Sequence, residues 1–347
     1  MDGIGERPDI PANVPEITPP WLDETLSELP ALDGATVSGI TEIGSGYGLA
    51  GGAARIELRS RNSQRPAVVL KLARRRTGAA EIAFYRDVAP QVPCRVPRCY
   101  GGWVDADPRA DRAALVLEAL PVQQQGDVLA GATADQARAV LDAAAAFHAA
   151  FTGKTPPSLP PLTYDTDVLQ QRLAERTAPF LQRYSETLPT AVLARIDDLP
   201  ARLDATSAVL AAAPATLVHT DFHLDNVLFL EGGAPVVLDW PGARRGAAAI
   251  DVARFLVEGV ADALLPEHAA LVAHYRRSCE VAGVPTDPGF DDQLDAALTL
   301  QLAHMINWAG APEPSHSHPR VPKLIAALHR RTAQLEELRA DTRVIRP

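Results

Sequence analysis

The stretch Val218-His-Thr-Asp-Phe-His-Leu-Asp-Asn-Val-Leu-Phe229, with Val236-Val-Leu-Asp-Trp240 behind it, decides how the chain is read. Its apolar residues predict strands near 216–219, 226–230 and 234–239, with Glu231-Gly-Gly233 turning the last two into a hairpin. A loop followed by a hairpin can bring the side chains of Asp221, Asn226 and Asp239 together. An amide oxygen and a carboxylate suit Mg²⁺, a hard cation that prefers oxygen ligands. A separate carboxylate can accept a hydroxyl proton, or orient that hydroxyl in line with phosphorus. Two other readings stay open for the stretch taken alone. It can be a strand edge with satisfied polar side chains, or a metal site through His219, Asp221 and His223, which share a face if extended.

Upstream, residues 36 to 43 and 53 to 59 alternate as strands do, and Gly44-Ser-Gly-Tyr-Gly-Leu-Ala-Gly-Gly52 between them reads as a glycine-rich turn. An apolar strand follows, Ala67-Val-Val-Leu-Lys71-Leu-Ala73, then a helix over 79–89 that carries Glu81 in its first turn. Ala113-Ala-Leu-Val-Leu-Glu118 is a further strand. Thr133-Ala-Asp-Gln136 has the form of a capping box, and Val140, Ala144, Phe147, His148 and Phe151 mark one face of the helix behind it. Residues 1 to 20 carry five prolines and little apolar periodicity, which predicts a mobile tail. The order is therefore a β-rich front third and an α-rich remainder, an α+β chain.

Lys71 interrupts an apolar strand, where a charge is costly without partners. The chain has only three lysines and four asparagines among 347 residues, so Lys71 and Asn226 stand out against a composition that otherwise uses Arg and Asp. The ordinary reading of Lys71 is an edge-strand lysine facing water. The glycine-rich turn reads equally as a plain hairpin loop or as backbone N–H groups laid over phosphates.

His219, Asp221, His223, Asn226 and Asp239 match the pattern His-Gly-Asp-x-His-x-x-Asn, strand, Asp, and the segment resembles the catalytic loop of aminoglycoside phosphotransferases and choline- and ecdysteroid-kinase-like proteins. Thr220 stands where that family usually has glycine. The resemblance implies a protein-kinase-like two-lobe fold, with an N-lobe over 21–118 and a C-lobe over 119–347. It implies that Asp221 is the catalytic base and that Asn226 and Asp239 hold Mg²⁺. Gly44, Ser45 and Gly46 would cover the phosphates of ATP or GTP, and Lys71, paired with Glu81, would meet the α- and β-phosphates. Glu118 and Leu120 would lie where an interlobe linker offers backbone groups to the base. Asp251 would brace the catalytic loop. The activity implied is transfer of the γ-phosphoryl group to a hydroxyl of a small molecule, an antibiotic or related metabolite among the options.

A net charge of −10 argues against nucleic acid or anionic membrane as the main partner, since both reward a basic face. Three cysteines without metal-ligand pairing fit a reducing compartment, and no apolar run is long enough to span a bilayer, so a cytoplasmic protein is expected. The alternatives to the kinase are a metallohydrolase on His219, Asp221 and His223, which leaves Lys71 and Asn226 without roles, and a nucleotide-binding pseudokinase. The usual mark of a pseudokinase, loss of the base or of a metal ligand, is missing from this sequence.

Overall fold

The computed structural model describes residues 5–32, 34–43, 52–59, 67–121, 125–188, 190–312 and 320–344. The chain divides into two compact units, one of residues 1–122 with 237–243, the other of 123–236 with 244–347. The sequence reading placed Asp239 with the second lobe. Instead its segment returns to the first unit, where Val237 N–H donates to the Arg95 carbonyl at 3.0 Å.

The first unit is built on a mixed six-stranded sheet. Its strands are β1 (Gly5–Arg7), β2 (Thr36–Ile43), β3 (Ala53–Arg59), β4 (Ala67–Ala73), β5 (Cys99–Asp105) and β6 (Ala113–Glu118), in the order β1-β5-β6-β4-β3-β2. Only β1 and β5 pair in parallel. In β4 the side chains alternate across the sheet, as a strand period of two requires. Val68, Leu70 and Leu72 are buried on the face that packs against Ile10, Leu22, Leu26 and Ile56. Lys71 therefore projects from the opposite face, and that register keeps its charge out of the apolar core.

The prolines of the first twenty residues do not mark a mobile tail. Gly5 to Arg7 pair with Trp103 to Asp105, and α1 begins at Pro19 and runs to Ser27. Ile10, Val14 and Ile17 are buried in the same cluster as Leu22. The buried Arg7 reaches Glu24 on α1 and Glu28 at its C-terminal cap, and Asp105 accepts the Ile10 N–H at 3.2 Å. Spaced apolar residues, rather than composition, settle the fate of this segment. Proline simply occupies helix-start positions, where its missing N–H costs nothing.

The helix expected over 79–89 begins earlier. It is α2 (Arg75–Ala83), continued by a π-helical turn over Phe84–Val88. Gly78 lies inside it because a Cβ there would come within 2.3 Å of the Ala113 Cβ, so only glycine lets the helix approach the sheet.

The second unit is mainly helical: α3 (Ala134–Phe151), α4 (Thr166–Tyr184), α5 (Thr190–Ala212), α6 (Ala249–Glu258), α7 (His268–Val281), α8 (Phe290–Ala309) and α9 (Arg320–Val344). Thr133 and Gln136 form the expected capping box at the start of α3. The short strand β7 (Ala215–Val218) pairs with β10 (Arg244–Ala247), and β8 (Val227–Phe229) forms a hairpin with β9 (Pro235–Val237) through left-handed Gly232 and Gly233. Helix α3 packs on α7, and α6 packs on α8. No helix of the described residues is long and apolar enough to cross a membrane.

Two measurements test these placements. Replacing Ile10 by Ala should lower the unfolding free energy by about 2–5 kcal/mol, the usual cost of a buried Ile truncation; a denaturation midpoint equal to wild type would return the segment to the status of a tail. His329 on α9 is fully buried against Phe180, ring centroids 4.8 Å apart, and burial pushes its pKa down to about 4. The unfolded chain takes up that proton near pH 6.5 while the folded chain refuses it, so protons favour unfolding. The stability difference is absent above about pH 6.5 and grows as pH falls toward about 4, to about 3 kcal/mol. His329→Leu should therefore lose less stability than wild type between pH 7 and pH 4, and parallel pH profiles would refute this.

Candidate active site

In the second unit the chain leaves β7 and enters a loop whose shape is set by one buried carboxylate. Asp251, in the first turn of α6, is fully buried. Its oxygens accept the His219 N–H at 2.7 Å and the Thr220 N–H at 2.8 Å. Its Oδ2 also lies 3.2 Å from His148 Nε2, and His148 Nδ1 lies 2.8 Å from the Tyr275 hydroxyl. Thr220 is held at φ 67°, the left-handed region that a β-branched residue enters only under strain. This accounts physically for glycine at the matching position of the family pattern, and Asp251 supplies the bond that holds Thr220 there. His219 is buried, and its Nδ1 accepts the Asp221 N–H at 3.2 Å, a bracing contact.

The Asp221 carboxylate emerges from this loop about half exposed. Burial of its surroundings pushes its pKa up, but the Arg254 guanidinium and the His223 ring outweigh that and hold it well below the usual carboxylate range. Arg254 Nη2 stands 2.7 Å from Asp221 Oδ1. Asn226 Nδ2 donates to the Asp221 carbonyl at 3.0 Å and lies 3.3 Å from Oδ2. The Asn226 amide nitrogen is thus engaged within the loop, and its oxygen is the hard donor the side chain has left to offer. The loop of the second unit thus presents an ionised carboxylate and an amide oxygen, both hard donors.

In the first unit Lys71 donates to Glu81 at 2.6 Å and to Asp239 Oδ1. Burial alone would lower the Lys71 pKa, but the two carboxylates reverse this and raise it. Burial pushes the Glu81 carboxyl up, and the Lys71 ammonium opposes that rise. The ten-residue spacing between Lys71 and Glu81 is bridged because α2 starts only two residues after β4 ends. Asp239 is itself left-handed, at φ 63°. The next residue, Trp240, anchors it: the indole is fully buried, stacks on Phe84 at 4.4 Å, and donates to the Val237 carbonyl at 3.0 Å.

Other expected positions fare differently. The Glu118 N–H is committed to the Arg98 carbonyl at 2.8 Å, and its carboxylate binds Arg95 through both oxygens at 2.5 Å. Leu120 is half-buried beyond the strand end. Gly44, Ser45 and Gly46 lie outside the described residues. Asp225, beside the Asp221 loop, accepts the Val128 N–H at 2.8 Å and pairs with Arg320 at 3.2 Å. The sequence reading missed Arg254 altogether. Its signal was a lone arginine in the apolar helix Ala249-Ile-Asp-Val-Ala-Arg-Phe-Leu-Val-Glu258, the same signal that singled out Lys71. The metallohydrolase alternative loses support, because the fully buried His219 spends Nδ1 on the loop backbone. Among the described residues no three His, Cys, Asp or Glu side chains gather as a metal cluster.

A mixed-sheet unit with a buried Lys–Glu pair and a helical unit with a braced Asp–Asn loop define a protein-kinase-like small-molecule phosphotransferase. More narrowly, the model of the phosphotransferase enzyme family matches residues 49–292, and the chain belongs to that family. Similar solved structures include the GDP complex of wild-type aminoglycoside 2'-phosphotransferase-IIIa, at 12% identity and a TM-score of 0.55, over 93% of this chain and 98% of that one. The macrolide 2'-phosphotransferase MphH from Brachybacterium faecium shows 18% identity and a TM-score of 0.52, over 87% and 98%. A thermostable mutant of aminoglycoside phosphotransferase APH(4)-Ia, in ternary complex with ADP and hygromycin B, shows 16% and 0.50, over 93% and 98%. At these identities the likeness is one of fold. No curated relative matches by sequence.

The Lys71 pair yields a stability test. Lys71→Met should destabilise the protein by about 3–5 kcal/mol, because it strands the buried Glu81 carboxylate. The double change Lys71→Met with Glu81→Gln should recover much of that loss. A single variant as stable as wild type in urea would show that Glu81 does not depend on Lys71.

Proposed function

We propose that the enzyme transfers the γ-phosphoryl group of magnesium-bound ATP or GTP to a hydroxyl of a small molecule, an antibiotic or a related metabolite. The observation that carries this reading is the Asp221 carboxylate. It is ionised, half-exposed, and set on a loop whose backbone is pinned by a buried aspartate. Asp221 accepts the hydroxyl hydrogen of the acceptor, so that the hydroxyl oxygen points its lone pair at phosphorus. As the new P–O bond forms, the bond from the γ-phosphorus to the bridging oxygen breaks, and the acceptor's proton passes to Asp221. A carboxylate held so acidic is a weak base, and it serves mainly to orient the hydroxyl while the proton moves late. A loose phosphoryl-transfer transition state asks for little more, since positioning and charge neutralisation supply most of the rate.

Lys71, kept charged by Glu81 and Asp239, is the proposed partner of the α- and β-phosphates. Asn226 and Asp239 are proposed to hold magnesium, whose chemistry is to neutralise charge building on the phosphate oxygens. Gly44, Ser45 and Gly46 are proposed to cover the phosphates, and residues 118–120 to meet the base. The solved relatives bound to GDP and to ADP keep both donors in view. Their acceptors, hygromycin B in one complex and macrolides in the name of another, support a hydroxylated antibiotic as an acceptor class.

The test incubates the protein with Mg²⁺, γ-¹⁸O-labelled ATP or GTP, and pooled hydroxylated metabolites and antibiotics, and reads products by mass spectrometry. A labelled phosphate ester is expected with wild type and not with Asp221→Asn, which should still bind nucleotide. Failure of wild type to bind either nucleotide in the presence of Mg²⁺ would defeat the proposal.

A further inference from the structure

We infer that Arg254 is a positioning residue for phosphoryl transfer: it fixes the plane of the Asp221 carboxylate, and Glu258 and Gln301 fix Arg254 in turn. The inference rests on the reading of Asp221 as the group that orients the acceptor.

The geometry begins with a weakness of aspartate. Rotation about its terminal bond is an sp³–sp² torsion with a broad, two-fold profile, so covalent structure does not set where the two oxygens point. External contacts must do that. Around Asp221 they are unequal. Arg254 Nη2 meets Oδ1 at 2.7 Å, a charge-assisted bond of full strength. On the other oxygen, Asn226 Nδ2 stands at 3.3 Å and His223 Nε2 at 3.4 Å, both at the long edge of hydrogen bonding. Arg254 therefore sets the plane, and the weaker contacts leave Oδ2 able to take an incoming hydroxyl.

Arg254 is itself held. Its guanidinium is mostly buried between its neighbours, and Nη2 also lies 3.3 Å from Glu258 Oε2, one helical turn along α6. The other Glu258 oxygen accepts from Gln301 Nε2 on α8. Gln301 and Glu258 are both buried, so this chain of contacts is shielded from competing water. On α6 the neighbours Val252, Ala253, Phe255 and Leu256 are all buried and apolar. A cation in that setting is costly unless its partners repay it. Glu258 alone would neutralise it, and the further reach to the half-exposed Asp221 is what a merely structural pair would not need. Arg254 thus meets the carboxylate oxygen that Asn226 and His223 do not.

The experiment measures kcat and KM for ATP in two Mg-dependent reactions, hydrolysis with water as acceptor and transfer to hygromycin B. The proteins are wild type, Arg254→Met, Arg254→Lys, Asp221→Asn, and the double variant Arg254→Met with Asp221→Asn. Arg254→Met should lower kcat by about 10- to 100-fold with KM for ATP unchanged, the pattern of a misplaced catalytic group. Arg254→Lys should restore part of the loss. In the Asp221→Asn background the Arg254→Met change should cost nothing further. Glu258→Gln provides a milder variant should Arg254→Met fail to fold, with a smaller loss of kcat that again vanishes when Asp221 is Asn. Equal fold-losses in both backgrounds, a wild-type kcat in Arg254→Met, or a rise in KM alone would each overturn the inference. A wild-type rate in Asp221→Asn, or a wild type that turns over neither acceptor, would instead overturn the reading of Asp221 on which the inference stands.

Discussion

Everything in the helical unit that bears on chemistry hangs from the carboxylate of Asp251. It is fully buried, and it spends its acceptor sites on two successive backbone N–H groups and on the ring of His148. Two adjacent amides pointing at one anion force the backbone between them into an unusual turn, and Thr220 accepts a left-handed conformation as a result. Strain of that kind costs on the order of 1–3 kcal/mol and persists only where its surroundings over-determine it. Here they do. The strained turn is what lifts Asp221 off the end of β7 and into solvent while His219 stays in the core.

The sheet unit solves a parallel problem with opposite charge. Lys71 projects from a strand whose alternate residues are core, and its ammonium is shared between Glu81 and Asp239. Trp240 locks the segment that carries Asp239 by stacking on Phe84, beside the end of the helix that carries Glu81. Aromatic burial and an ion pair thus fix the same few residues from two directions, one contributing apolar area and the other direction.

Much of this was legible in the residues. The strands on either side of Lys71 and Asp221 follow from alternation, and a charge set in an apolar strand asks for a partner, which the family resemblance supplied as Glu81. What escaped was of two kinds. The first residues were misread because proline content suggested disorder, whereas Ile10, Val14 and Ile17 are too few and too widely spaced to register as a pattern before the sheet is known. Arg254 escaped because its partners are remote or reversed in direction: Asp221 lies 33 positions upstream and Gln301 is on another helix. Periodicity reports which face of a helix is buried, and it carries no information about which distant polar group a buried charge will meet.

The return of residues 237–243 to the first unit carries a consequence for how the protein is made. The contact between Lys71 and Asp239 closes a loop of 168 residues, so the sheet unit cannot be completed from its own leading segment. On the ribosome, where domains tend to fold as they emerge, Lys71 and the buried Glu81 must wait for residues 123–236 of the helical unit to be synthesised before their second carboxylate partner arrives. Through that interval the Phe84 ring lacks its indole cover, and apolar surface left open in this way is what makes incomplete chains prone to aggregate.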